Sequence, residues 1–120
     1  MSKKTVVIGA STNPDRYGYK VTVALQRNKH EVVPVGIKEG EINGEKILLG
    51  KPEIKDVDTV TLYVGPLNQP EWYDYIISLN PKRVVFNPGT ENPEFENILI
   101  KNKIEVIEAC TLVMLSIGNY

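Results

Sequence analysis

The chain contains 120 residues, of which 42% are hydrophobic and 24% are charged, and its formal net charge is −1. This length fits one domain over residues 1–120, and the composition is that of an ordinary globular protein. Its interspersed charges argue against a nucleic-acid or anionic-membrane surface, and its only cysteine, Cys110, excludes an internal disulfide and a metal site built from cysteines.

The first half of the chain predicts strands around one helix. Residues 5–8, TVVI, form a continuous β-branched run, which is typical of a strand buried on both faces of a parallel sheet. This run is too short for a signal-peptide core or a membrane span, so we expect a cytoplasmic protein. Apolar residues at helical spacing predict a helix over residues 18–28. Further strands are predicted over residues 31–35 and near residues 47–49, the latter in an irregular stretch rich in glycine.

The second half continues the alternation of strands and helices. Strands over residues 59–64 and 83–87 flank a helix that is predicted to begin near residue 68 or 70 and to end at residue 79. Another helix should begin at Asn92, a good N-cap residue followed by proline, and a last strand covers residues 104–107. Such alternation implies right-handed crossovers between parallel strands. We therefore predict an α/β, three-layer Rossmann-like fold with a mostly parallel sheet and helices on both faces.

The loop after the first strand is the best candidate for a binding site. In an open parallel sheet, ligands bind at the carboxyl ends of the strands, near the point where strand order reverses. This loop begins Gly9-Ala10-Ser11, so a glycine allows close approach of a ligand and a hydroxyl can donate a hydrogen bond. The next helix directs its free N–H groups and its positive dipole end to the same place, which favours an anion such as a pyrophosphate.

The spacing of this loop differs from that of a dinucleotide-binding loop. The G-x-G-x-x-G pattern requires glycines at three positions, which are occupied here by Gly9, Ser11 and Pro14. An NAD site would also have an acidic residue after the second strand, where this chain has Lys38. A lysine suits a phosphate better than a free ribose hydroxyl. Both differences count against NAD.

Three stretches carry a family resemblance, namely VIGASTNPDRYGYKV, EVVPVGIK and PGTENPEFE. Together they resemble the stand-alone CoA-binding domain proteins, which are related in fold to the nucleotide-binding domain of the succinyl-CoA synthetase alpha subunit. The resemblance covers nearly the whole chain and is most specific in the first forty residues. This chain departs from the family pattern at Gly36-Ile37, and Asn87 replaces a common glutamine.

The resemblance implies that coenzyme A or an acyl-CoA is the small-molecule ligand, and that it binds on the loops at one edge of the sheet. The residues implied are Gly9, Ala10, Ser11, Asn13, Arg16, Tyr17, Val35, Lys38, Val64, Gly65, Pro88 and Gly89. The first three would cradle the pyrophosphate, and the next three would line the same pocket. The valine and lysine after them would flank the adenosine and its 3′-phosphate, and the last four would close over the rest of the ligand.

A catalytic role finds little support in the sequence. Cys110 is expected near the crevice, but a nucleophilic cysteine needs a nearby base, and His30 is expected at the opposite edge of the sheet. We therefore expect no enzymatic activity, but a carrier, sensor or regulator. Two alternatives stay open. One is an NADP- or CoA-dependent enzyme that uses Cys110, and the other is an interaction protein with a vestigial crevice, forming a homodimer through the helix that contains Trp72.

Overall fold

The computed structural model of the chain describes residues 2–120. Within them, strands alternate with helices, as the sequence predicts. The elements in chain order are β1 (Thr5–Ile8), α1 (Tyr17–Arg27), β2 (Val32–Gly36), β3 (Glu41–Ile42), β4 (Glu45–Lys46), β5 (Leu48–Leu49), β6 (Thr59–Leu62), α2 (Tyr73–Leu79), β7 (Arg83–Phe86), α3 (Pro93–Lys101), β8 (Glu105–Glu108) and α4 (Thr111–Ser116).

Six of these strands form one sheet in the order β5-β2-β1-β6-β7-β8, and every neighbouring pair in it is parallel. The predicted α/β Rossmann-like fold is therefore confirmed. The chain runs outward from β1 through β2 to β5, then returns to the other side of β1 with β6. Strand order consequently reverses between β1 and β6, which is where ligands bind in sheets of this kind.

The sheet separates two apolar clusters because the side chains of a strand point alternately to its two faces. One face packs against α2 and α3, and its largest fully buried side chains are Ile8, Leu62, Ile76, Phe86, Phe95 and Leu99. The other face packs against α1 and α4, and its fully or nearly buried side chains include Val7, Val21, Leu25 and Leu115. Both faces of the sheet are therefore covered by helices, as the three-layer prediction requires.

The start of α3 matches its sequence signal. The Asn92 side chain accepts a hydrogen bond from the Phe95 N–H at 3.2 Å, and Pro93 occupies the first helical position. The predicted N-cap is confirmed.

The α2 helix begins later than expected, at Tyr73, because two short 3₁₀ turns that start at Pro66 and Pro70 precede it. Each proline suits the first position of a tight turn, so the chain takes two turns before the regular helix begins.

The glycine-rich middle of the chain holds more structure than the single strand predicted there. Strands β3 and β4 pair antiparallel around Asn43 and Gly44, whose φ angles are 46° and 87°. Two consecutive residues with positive φ are the geometry of a tight two-residue hairpin, and Asn-Gly is the favoured pair for it. The Asn-Gly pair at residues 43–44 was therefore a local sequence signal for this hairpin. The predicted strand near residues 47–49 is present as β5.

Two large aromatic side chains near the start of α2, one of them from Trp72 in the preceding 3₁₀ turn, belong to the core. Trp72 and Tyr75 are both buried in the core, with their ring centroids 5.8 Å apart in an edge-to-face arrangement. The Tyr75 hydroxyl donates to the Pro52 carbonyl at 2.6 Å. These residues stabilise the monomer, so a dimer contact made mainly by their side chains would require the core to open.

His30 lies at the edge of the sheet opposite the carboxyl ends of the strands, as predicted, but it is half-buried. Its Nδ1 accepts a hydrogen bond from the Lys3 N–H at 2.9 Å, and its ring packs edge-on against Tyr120 at 4.9 Å. Burial lowers the pKa of His30, and the charges of Lys3 and Arg83 lower it further against the opposing effect of Asp58. Protonation at Nδ1 would remove the acceptor that Lys3 uses.

This arrangement predicts a stability loss in mild acid. Because the folded-state pKa of His30 is below its unfolded value of about 6.5, the stabilisation is complete above about pH 6.5 and is lost as pH falls through the folded-state pKa. We expect the urea midpoint to fall more between pH 7.5 and pH 5 in the wild type than in His30→Gln. Comparing the two proteins cancels the titration of groups that they share. An equal fall in both would contradict the prediction.

Candidate functional site

The loop that follows β1 lies at the reversal of strand order and is held close to its neighbours. Gly9 has φ of 102°, and a Cβ atom there would lie 2.9 Å from the Tyr63 carbonyl oxygen that follows β6. The N–H groups of Gly9 and Ala10 both donate to the Val35 carbonyl, at 3.0 and 2.9 Å. A glycine is therefore required at the first position of the loop for both conformational and steric reasons.

Two further glycines let other segments approach the same loop. A Cβ on Gly18, in the first turn of α1, would lie 2.2 Å from the Gly9 carbonyl oxygen. A Cβ on Gly36, at the end of β2, would lie 2.4 Å from the Ala10 carbonyl oxygen. Both distances are far inside van der Waals contact, and both partners are backbone atoms. The helix and the second strand thus fix the position of the loop through direct backbone packing.

The segment between this loop and α1 is ordered by local hydrogen bonds. The Asn13 N–H donates to Ser11 Oγ at 3.1 Å, the Asp15 N–H to Asn13 Oδ1 at 3.0 Å, and the Arg16 N–H to the Asn13 carbonyl at 3.0 Å. Arg16 is extended, and among residues 2–120 no side chain caps the helix that begins after it. The Tyr19 N–H donates to the Arg16 carbonyl at 3.2 Å, so the N–H groups of Tyr17 and Gly18 are the ones left for solvent or a ligand. The first turn of α1 carries no acidic residue to compete with an anion.

The structure brings most of the predicted phosphate residues to one rim. Ala10 is buried and Ser11 half-buried, Asn13 and Arg16 are exposed in the loop, and Tyr17 is exposed at the start of α1. The three exposed side chains are accessible to a ligand that approaches the start of α1.

On the β2 side, the apolar surface is supplied by a residue that the prediction omitted. The Val35 side chain is fully buried in the core, so it offers no surface to an adenosine. Ile37, which follows β2, is instead 88% exposed, and Lys38 beside it is exposed as well. Lys38 lies two residues beyond Gly36, whose backbone contacts Ala10. The sequence signal that could have indicated Ile37 is the presence of a large apolar residue directly after a buried strand.

The loops after β6 and β7 form the other side of the crevice. Val64 is half-buried, whereas Gly65, Pro88 and Gly89 are exposed. A fully buried glutamine, Gln69, joins these two loops: its Nε2 donates to the Val64 carbonyl at 2.8 Å and to the Thr90 carbonyl at 2.7 Å. No local sequence signal indicates this role, because the partners lie in separate segments.

The side chain of Asn87, the residue after β7, makes only structural hydrogen bonds within the described residues. Its Nδ2 donates to Thr61 Oγ1 at 2.7 Å and to the Leu62 carbonyl at 2.9 Å. Its Oδ1 accepts the Thr111 N–H at 2.9 Å. The side chain is buried, and these bonds use both of its donors and its acceptor. Asn87 therefore ties β6 and β7 to the start of α4.

Cys110 is half-buried directly before α4, near the Tyr63 hydroxyl. That hydroxyl is buried beside Thr61 and Thr111. Burial raises the pKa of Tyr63 well above its ordinary value, and Cys110 raises it further, so the phenol stays protonated at neutral pH. A protonated phenol is not a base for the thiol, and the chain's one histidine, His30, lies at the opposite edge of the sheet.

Residues 2–120 contain no group of three or more His, Cys, Asp or Glu side chains that would hold a metal ion. Over the same residues, no helix is long and apolar enough to cross a membrane. Two shallow cavities, of about 410 and 550 Å³, lie away from the crevice. One is lined by residues around His30 and the other by residues around Asn80, and neither includes a predicted site residue.

Comparisons with known proteins identify the family of this chain and relatives that share its fold. A family model described as a CoA binding domain matches residues 3–116. A crystal structure of an uncharacterized protein is 52% identical with a TM-score of 0.97, and the match covers 100% of this chain and 99% of that one. A conserved hypothetical protein from Pyrococcus furiosus is 30% identical with a TM-score of 0.81, covering 92% and 97% of the two chains. A structure from Thermus thermophilus shares the fold. It is 24% identical with a TM-score of 0.81, and the match covers 99% of this chain and 91% of that one. No curated protein matches.

Proposed function

The chain belongs to the CoA binding domain family, and from that premise we propose that it binds coenzyme A or an acyl-CoA at the carboxyl edge of its sheet, without catalysing a reaction. One observation carries the proposal. The Gly9-Ala10-Ser11 loop lies where strand order reverses, and it is held by backbone packing beside the uncapped start of α1. Because the Gly9 and Ala10 N–H groups are bonded to the Val35 carbonyl, a pyrophosphate would be bound by the free N–H groups and the positive dipole end at the start of α1.

The surroundings of the loop suit the rest of a CoA nucleotide. Ser11 and Arg16 supply a hydroxyl and a positive charge beside the loop, and Lys38 supplies a second positive charge for the 3′-phosphate. Ile37, exposed beside Lys38, provides an apolar surface for the adenine base. The exposed glycines and proline of the loops after β6 and β7 leave room for the pantetheine arm.

The hydrogen bonding and protonation of the polar groups near the crevice support a role without catalysis. Asn87 and Gln69 are fully engaged in structural hydrogen bonds. The Tyr63 phenol next to Cys110 is held in its protonated form. We propose that the protein carries, senses or regulates CoA or an acyl-CoA. Steady turnover of an acyl-CoA or NADP substrate, lost in Cys110→Ser, would instead establish the enzymatic alternative.

Calorimetry with three ligands tests the proposal directly. We expect CoA to bind more tightly than dephospho-CoA, because only CoA carries the 3′-phosphate opposite Lys38. NADP should bind more weakly than either, because the loop lacks the glycine spacing of a dinucleotide site. Absence of CoA binding at high micromolar concentration would overturn the proposal. Identification of ligands that co-purify with the protein would then show whether an acyl group is carried.

Lys38→Gln tests the 3′-phosphate contact by itself. We expect the affinity for CoA to fall about fivefold, the value of a partly exposed ion pair of about 1 kcal/mol, with dephospho-CoA unaffected. The difference between the two ligands should therefore nearly vanish. Lys46→Gln, in the exposed strand β4, changes the net charge equally and should leave the difference intact. An equal loss for both ligands in Lys38→Gln would place the lysine elsewhere on the ligand.

A further inference from the structure

Gln69 is a polar side chain with no exposed surface, located between the two 3₁₀ turns that precede α2. Burying an amide is costly unless its donors and its acceptor are paired. Its Nε2 donates to the Val64 carbonyl at 2.8 Å and to the Thr90 carbonyl at 2.7 Å, and its Oε1 accepts from Asn92 Nδ2 at 2.9 Å. The side chain is therefore fully paired, and each partner lies in a loop or at the start of a helix.

These partners are the segments that border the far side of the crevice. Val64 follows β6, and Thr90 lies in the loop after β7. Asn92 caps α3, and it also donates to the Tyr73 hydroxyl at 2.8 Å. Parallel strands β6 and β7 are joined by their own ladder only up to Leu62 and Phe86. Directly after the ladder, Asn87 bonds to the Leu62 carbonyl, and further along the two loops Gln69 connects Val64 with Thr90.

We propose that Gln69 is a positioning residue that fixes the spacing of the loops after β6 and β7, so that the arm of the ligand beyond the pyrophosphate meets a preformed surface. This inference rests on the proposed function. Leu67, two residues before Gln69, is 95% exposed, and the bonds of Gln69 hold the turn that presents it. A fixed apolar side chain at this place suits a long, mostly uncharged arm that must be ordered on binding.

The nucleotide side of the site does not depend on Gln69. The Gly9-Ala10-Ser11 loop is held by the Val35 carbonyl and by close packing against Gly18 and Gly36. Gly9 also packs against Tyr63, which is held to β1 by the hydrogen bond from its N–H to the Ile8 carbonyl at 2.9 Å. None of these contacts includes the side chain of Gln69. The two halves of the site are thus supported by separate sets of contacts, and a change at Gln69 should affect only one of them.

Gln69→Met keeps the length of the side chain and removes its hydrogen bonds. We expect the affinity for CoA to fall about tenfold or more, because three buried polar groups lose a partner and the loops lose their fixed spacing. The affinity for adenosine 3′,5′-bisphosphate, which lacks the pantetheine arm, should change less than about twofold. Amide exchange should become faster in residues 64–69 and 88–92 and stay unchanged in residues 9–18.

A matched control comes from another glutamine. Gln26 in α1 donates to the Ile42 carbonyl at 3.0 Å and has a buried Oε1, but it borders the cavity near His30 at the opposite edge. Gln26→Met should leave the affinities for both ligands unchanged. If Gln69→Met does not fold, Asn92→Asp serves in its place, because the carboxylate still caps α3 but cannot donate to Gln69. The same selective loss of CoA affinity is expected.

The outcomes separate this inference from the proposed function. Equal losses for CoA and the bisphosphate would show a general structural role and overturn the inference while leaving CoA binding established. Unchanged CoA affinity in Gln69→Met would overturn it as well. A wild-type protein that binds neither ligand would overturn the proposed function, and the inference with it.

Discussion

Gly18→Ala is expected to destabilise the protein by about 3 kcal/mol and to remove CoA binding at micromolar concentrations. The added methyl group would lie 2.2 Å from the Gly9 carbonyl oxygen, and this backbone cannot move freely because Gly9 also packs against Tyr63. Either α1 moves away from the sheet or the loop is displaced. Both changes separate the start of α1 from Gly9-Ala10-Ser11, so the stability and the anion site should be lost together.

Urea unfolding and calorimetry with CoA measure the two effects. Gly65→Ala is the matched control for the urea measurement alone, because a Cβ there has no atom within 4 Å among the residues that the structure describes, and its φ of −64° suits any residue. Its free energy of unfolding should equal that of the wild type or slightly exceed it. A Gly18→Ala protein with wild-type stability and CoA affinity would show that the approach of α1 to the loop is not required.

Ser11→Asp is expected to weaken CoA binding about 10- to 100-fold, equivalent to about 1–3 kcal/mol, with little change in stability. Ser11 Oγ accepts the Asn13 N–H at 3.1 Å, and an aspartate carboxylate can accept the same hydrogen bond. The loop should therefore keep its conformation. The new negative charge would stand where the pyrophosphate is proposed to bind.

Ser11→Asn is the control for this change, since it has nearly the shape of aspartate without its charge. We expect Ser11→Asn to lose much less affinity than Ser11→Asp. The difference between the two variants should shrink as salt is added, because the repulsion is partly screened. Calorimetry at two ionic strengths measures both effects. Equal affinities for the wild type and Ser11→Asp would mean that the phosphates bind at another place.

Local patterns were enough to predict the fold. The β-branched run at residues 5–8 coincides with β1, and the predicted cap at Asn92 is the observed start of α3. Alternation of strands and helices then led to the parallel sheet, because few topologies satisfy it. The predicted boundaries of the elements were less accurate where prolines form 3₁₀ turns, as they do before α2.

The contacts that shape the site could not be predicted in the same way. Gly18 and Gly36 are ordinary glycines in the sequence, and only the fold shows that each touches a backbone oxygen of the loop. The bonds of Gln69 connect segments about twenty residues apart. The resemblance implied Val35 at the ligand, but strand alternation turns its side chain into the core. For the glycines and Gln69, the contacts follow from long-range packing, which no local pattern encodes.

The reversal of strand order also has a consequence for folding kinetics. Strands β1 and β6 pair Thr5 with Thr59, more than fifty residues apart, and the Gly9 loop reaches its position against Tyr63 only when that pair has formed. Closing so long a loop carries an entropy cost before any contact offsets it, so such pairings form slowly. The unit of β1, α1 and β2 can assemble from nearby segments, whereas the complete phosphate site waits for the later arrival of β6.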